Sequence, residues 1–199
     1  MKAQTYTDRQ TELLDRIKGL CQTCYPKHNW NGHLIPVVDT ALRLQEKYGG
    51  DRFIVEAGAY LHDIGRILFG PLQVIKITHE VSGYHFSRFK LWQYGCEKDL
   101  RDKIAKCVLE HSGSGLSGSK PSSLESEIIM NADGVSPFEL WLYQFGINYA
   151  SKGKNLQCTK EWFSEKLQVS WDKKLTLPGI KEQVAPLYDK IKQQLEQIK

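Results

Sequence analysis

An all-α fold is what this sequence predicts, on three observations. Apolar residues recur at spacings of three and four along nearly the whole chain, capping residues and glycines punctuate that pattern, and no segment alternates convincingly as a strand would. No internal repeat is visible. The expected organisation is a single domain over residues 1–199, with a core over about residues 20–150 and a helical C-terminal extension over about 151–199.

The first helix opens at Thr7, whose spacing to Gln10 is that of a capping box, and runs through Leu13, Leu14, Ile17, Leu20, Cys21 and Cys24. A second is expected from about Asn31 to Tyr48. Pro36 fits only in a first turn, so its regular part starts near His33 or Leu34, and Gly49-Gly50 stop it. Asp51 caps a third helix to about His62. Gly65 is expected to end it, and the stretch to Val74 reads as a loop. A fourth runs from about Thr78 to Tyr94, before Gly95, and a fifth from about Lys98 to His111. The Ser/Gly-rich stretch 112–123 reads either as a mobile lid or as a connector.

Ser122 and Glu125 have capping-box spacing ahead of a sixth helix through Ile128, Ile129 and Ala132 toward Val135, with Pro137 expected to kink or restart it. Two or three more helices follow from about Phe138. One covers about Thr159–Trp171. The last carries Val184, Leu187, Ile191, Leu195 and Ile198 on one face, which serves either the core or a homodimer. The aromatics Trp141, Tyr143, Phe145, Tyr149, Trp162, Phe163 and Trp171 read mostly as core filling, with a pocket wall as the alternative.

The totals exclude several classes. A chain of 199 residues can bury about 70% of its unfolded surface, so a core forms without staples. The net charge of +4 comes from scattered Lys and Arg with no basic run, which gives no footprint for a nucleic-acid polymer. No stretch reaches the ~18 apolar residues of a membrane span. Five cysteines without a secretory leader pattern suggest a reducing cytoplasm. Cys21 and Cys24 form a CxxC at the end of a helical pattern with no fourth ligand at zinc spacing, so they read as core-facing.

The chemistry lies elsewhere. His62 and Asp63 stand side by side in the apolar run AYLHDIGRILFG. Other segments offer partners: His33 opens the second helix, His79 the fourth, His111 closes the fifth, and Asp133 sits in the sixth. Imidazole with carboxylate suits zinc, manganese, iron, cobalt or nickel rather than calcium. His28 and His85 read as ordinary boundary residues.

The order His33, His62-Asp63, His79, His111, Asp133, in the contexts NGHLIPVV, AYLHDIGR, THE, LEHS and NADGVS, resembles the HD-domain superfamily of metal-dependent phosphohydrolases over roughly residues 20–150. The resemblance implies an HD-type helical bundle in which His33, His62, Asp63 and Asp133 hold one divalent transition metal. It also implies that His79 and His111 are placed to hold a second ion, with Asp63 bridging. Asp63 would then orient or deprotonate the attacking water, and Arg66, one turn on, would contact substrate phosphate, with Lys76 and Lys120 as further candidates from flanking loops. The activity implied is hydrolysis of a small phosphorylated molecule, a nucleotide or dinucleotide polyphosphate being one option. The alternatives are a di-iron oxygenase of the same superfamily, cleaving a C–C or C–P bond, and a non-catalytic nucleotide-binding regulator.

Overall fold

The computed structural model describes residues 5–69, 78–113, 120–151 and 153–198. Helix α1 (Asp8–Cys24) starts at the expected box: the Thr7 hydroxyl accepts from Gln10 N–H, and the Gln10 side chain accepts from Thr7 N–H. A short helix, α2 (Lys27–Asn29), leads into a π-helical turn, Trp30–Leu34, and only then into α3 (Ile35–Tyr48). His33 therefore lies in the wider turn before the regular helix. At the other end Gly49 takes a positive φ of 92° that L side chains resist, and α3 stops there.

Helix α4 (Arg52–Leu61) is capped by Asp51, whose carboxylate accepts from the N–H groups of Phe53 and Ile54. Every residue from Phe53 to Leu61 is buried. A helix covered all round is a central strut, and α1, α3, α7 (Lys98–Glu110) and α8 (Leu124–Glu139) pack around it. Ile17, Val37, Val55, Ala57, Ile104, Val108, Ile128 and Ile129 meet in that core with no exposed surface.

Four expectations need correction. Residues Ile64–Phe69, expected as loop, form a further helix, α5. Gly65 lies inside it rather than ending a helix. A Cβ there would stand 2.1 Å from the His79 carbonyl oxygen and 2.5 Å from Gly83 N, so the glycine permits α5 to press against α6 (His79–Gln93). The rest of that expected loop, from residue 70 to Val74, lies outside the described residues, as does most of the expected lid, residues 114–119. The cap of α8 is Ser123, whose hydroxyl accepts from Ser126 N–H. Ser122 instead donates its N–H and O–H to Glu110, while Glu125 accepts from Asp51 N–H. Pro137 neither kinks off nor restarts α8, which runs on to Glu139.

Beyond α8 lie α9 (Trp141–Ser151), α10 (Leu156–Val169), a second π-helical turn at Ser170–Lys174, and α11 (Ile180–Gln197). Val184, Ile191 and Leu195 of α11 are buried within the chain, whereas Leu187 is 38% exposed. Phe145 and Phe163 fill the core between α9 and α10. Cys21 is buried and its thiol donates to the Tyr60 carbonyl at 3.3 Å. Among the described residues no helix is long and apolar enough to cross a membrane.

Candidate metal centre

His62 and Asp63 occupy the turn between α4 and α5. Neighbours inside a regular helix diverge by about 100°, but at this junction both side chains point the same way: His62 Nε2 is 3.8 Å from Asp63 Oδ2. Around them the structure gathers the other four residues of the sequence pattern. His33 comes from the first π turn, His79 is the first residue of α6, His111 follows α7, and Asp133 comes from α8. They fall into two groups whose donor atoms lie within 4.8 Å of one another: His33, His62 and Asp133, and Asp63, His79 and His111.

Asp63 joins the groups. Its Oδ2 lies 3.3 Å from His33 Nε2, while its Oδ1 lies 3.4 Å from His111 Nε2 and 3.5 Å from His79 Nε2. His33 Nε2 is also 3.5 Å from Asp133 Oδ1 and 3.1 Å from His62 Nε2.

The outer ring nitrogens are tied back. His62 Nδ1–H donates to the Ala59 carbonyl at 2.8 Å and His111 Nδ1–H to the Val108 carbonyl at 2.7 Å, which leaves both Nε2 lone pairs facing inward. Arg66 donates to His79 Nε2 at 2.8 Å, so His79 carries its proton on Nδ1, 3.3 Å from Glu80 Oε2. Inward lone pairs next to two carboxylates are the donor chemistry a divalent transition metal takes, and the residues fit one.

Burial and charge set the protonation. Burial pushes the His62 imidazole down from 6.5 to about 4, against the pull of Asp63 and Asp133. Burial likewise takes His79 to about 4, helped by the Arg66 charge. For Asp63 burial acts upward. The Arg66 guanidinium, which donates to its Oδ1, outweighs this and holds the carboxyl well below the ordinary range. Asp133 is held down too: burial opposes this, but the Lys174 ammonium, which donates to its Oδ2, prevails. The centre is thus set for neutral His62 and His79 imidazoles and ionised Asp63 and Asp133 carboxylates.

The centre floors a cavity of about 530 Å³. Arg66 stands on one side, with Nε donating to Asp63 Oδ1 at 3.1 Å. Lys166 and Lys174, from α10 and the second π turn, stand on the other. Tyr143 and Trp162, expected as core filling, line the walls, and exposed His28 lies on the rim. His85 is exposed elsewhere on α6, beside Arg88 and Trp92. Of the two lysine candidates, Lys76 lies outside the described residues. Lys120 is exposed and does not line the cavity. Its segment is tied to Glu110 through Ser122, and among the described residues the lysines that do line the cavity, Lys166 and Lys174, come from the C-terminal helices. Sequence reasoning missed Lys166 and Lys174 because each sits in a polar helical pattern like that of any solvated face; Glu80 had only its place beside His79 as a signal.

A helical bundle with one buried imidazole–carboxylate centre at the floor of a cleft defines the class: an α-helical domain with a candidate divalent-metal centre. The chain belongs to the HD domain family, whose model matches residues 31–137 and so spans all six donors. The crystal structure of Bacillus subtilis YpgQ has the same fold, with a TM-score of 0.70, 21% identity, and 94% of each chain covered. A second structure, of YpgQ in complex with ADP, gives 0.69 at 21% identity, covering 95% of this chain and 94% of that one. A predicted HD superfamily hydrolase from an uncultured Thermotogales bacterium gives 0.56 at 16% identity, over 92% and 89% of the two chains. In sequence, the tRNA (cytidine(56)-2'-O)-methyltransferase of Thermoplasma volcanium is 30% identical over 135 residues, 61% of this chain and 36% of that protein. The chain spans about a third of the length of the curated relatives it matches.

Proposed function

We propose that this chain is a metal-dependent phosphohydrolase acting on a small phosphate ester of the nucleotide type. The observation that carries the reading is the Asp63 carboxylate, shared between two donor groups at the floor of a cavity ringed by Arg66, Lys166 and Lys174. Three cations beside a cavity of about 530 Å³ suit a ligand with an anionic arm. Tyr143 and Trp162 offer faces for a base. The ADP bound by YpgQ supports a nucleotide, as a property of a protein with the same fold.

A divalent ion bound by His33, His62, Asp63 and Asp133 supplies Lewis acidity and lowers the pKa of water. The chain's own residues do the rest. Asp63, ionised and with both oxygens turned inward, orients the attacking water and accepts its proton. Arg66 holds Asp63 through Nε and His79 through Nη2, and the rest of its guanidinium, on a side chain 59% exposed that lines the cleft, pairs with phosphoryl oxygens. Lys166 and Lys174 offset charge that gathers on the leaving phosphate.

The test is release of phosphate or nucleoside product by the purified protein with added manganese, cobalt or iron, across nucleoside phosphates and dinucleotide polyphosphates. Metal bound without turnover across that panel defeats the proposal. The division into two three-donor groups also suits a pair of irons, and so favours the oxygenase as second reading. Oxygen uptake with a mixed-valence iron signal distinguishes it, while hydrolysis without oxygen counts against it.

A further inference from the structure

His33 is held differently from its partners. The Nδ1 atoms of His62 and His111 donate to carbonyls of their own helices, which no side-chain substitution removes. His33 Nδ1 faces a side chain, the Ser136 hydroxyl at 3.4 Å. Ser136 is 2% exposed, and its oxygen accepts from Gln144 Nε2 at 2.8 Å. The Gln144 carbonyl oxygen in turn accepts from Lys166 Nζ at 2.9 Å. The chain Lys166–Gln144–Ser136–His33 thus runs from α10 through α9 and α8 to a candidate ligand on the first π turn. Its outer two members lie beyond the segment matched by the family, residues 31–137.

We propose that Gln144 is a positioning residue for the metal centre, acting on His33 through Ser136, with Lys166 fixing which way its amide faces. This rests on the metal reading above. When His33 Nε2 faces the ion, Nδ1 must carry the proton and needs an acceptor. Among the described residues, the Ser136 oxygen is the acceptor placed to take it. A serine hydroxyl turns freely about its Cα–Cβ bond unless something holds it, and the Gln144 N–H is what holds it. The Gln144 amide is in turn ambiguous by shape, since its oxygen and nitrogen occupy similar space. The Lys166 ammonium has no acceptor function, so it selects the orientation with the oxygen toward itself and the NH₂ toward Ser136. Neighbouring packing serves the same turn: the Tyr143 ring lies over Gly32, and its hydroxyl donates to the His28 carbonyl at 3.2 Å. Helix α9 therefore clamps the π turn with one residue and orients its histidine with the next.

The experiment is titration of Mn²⁺ into metal-free full chain, followed by calorimetry, for wild type, Gln144→Leu, Ser136→Ala and the double variant. Loss of such an outer hydrogen bond costs about 10–100-fold in metal affinity, and that is expected of each single variant. Because both act through one contact, the double variant should bind no more weakly than Ser136→Ala alone. A merely structural glutamine gives independent, multiplying losses. Single variants that bind within about threefold of wild type, or losses that multiply, overturn the proposal. Should Gln144→Leu yield too little folded protein, Gln144→Met, which keeps the length of the side chain and removes its amide, takes its place in the cycle with Ser136→Ala. A wild type that takes no Mn²⁺ while remaining folded sinks the metal reading instead, and so separates the two failures.

Discussion

His33 Nε2 and His62 Nε2 face each other at 3.1 Å across 29 residues of sequence. The His62 nitrogen is a bare lone pair, since its proton is on the carbonyl side, and its ring is wholly buried. Lone pairs so gathered, with Asp63 and Asp133 beside them, are stabilised by a cation at their focus. Manganese or cobalt at about one hundred times its dissociation constant should therefore stabilise the fold by about 2.7 kcal/mol. Thermal melts with metal and with chelator check this. His62→Ala should abolish the difference, and an unchanged melt on metal addition in wild type would count against a metal centre.

Acid should destabilise the metal-free protein. His62 titrates near 4 when folded and near 6.5 when unfolded, so between those values the unfolded chain binds a proton that the folded chain refuses. Its contribution is complete above pH 6.5 and is lost as pH falls toward 4. From pH 7 to pH 5 the loss is about 2 kcal/mol for His62 alone. His79, also lowered to about 4, adds in the same direction. Asp63 and Asp133, both depressed, extend the loss further into acid as they protonate. Urea midpoints at the two pH values with chelator present measure it. Equal midpoints would show that neither imidazole is held neutral by the fold.

Gly32 tests the clamp on the π turn. A Cβ there would stand 1.7 Å from Tyr143 Cε1, closer than any real contact. Gly32→Ala should cost about 1–3 kcal/mol, as overpacking does, and should weaken metal binding because the displaced turn carries His33. In a Tyr143→Ala background the same substitution should cost much less, since the clash is gone. Equal costs in the two backgrounds, read by melting, would place the constraint somewhere other than the ring.

The sequence carried the order of the six donors because each stands beside buried apolar residues of a helical segment that packs into one core. Leu34, Leu61, Val108 and Ala132, next or nearly next to the donors, are all buried. What it did not carry depends on distant contacts. The π turn at Trp30–Leu34 packs against Tyr143, far along the chain, a contact that no local signal marks. Gly65 looks like a helix stop in sequence, but its role is the close approach of α6, which only the packed structure reveals. Lys166, Lys174 and Gln144 occupy helical patterns that solvent-facing residues would fill equally well. The C-terminal helices, expected as an extension of the core, supply two of the three cations at the cleft.

Lys174 should act in opposite directions on the empty and the loaded site. Its ammonium donates to Asp133, with side-chain exposures of only 15% and 12%. Without metal, Lys174→Met strips a partly buried carboxylate of its partner, a loss on the order of 3 kcal/mol. With metal, the same change removes a positive charge beside a cation and frees Asp133 Oδ2 as a donor, so manganese affinity should rise by about threefold or more. An ordinary destabilising substitution weakens folding and binding together, and lacks this opposed pair of signs. Melting in chelator and calorimetric titration of the same preparation read both halves. If Lys174→Met binds manganese more weakly than wild type, the lysine is not competing with the ion for Asp133. The cation ring around the cleft would then have to be assigned to the fold rather than to the substrate.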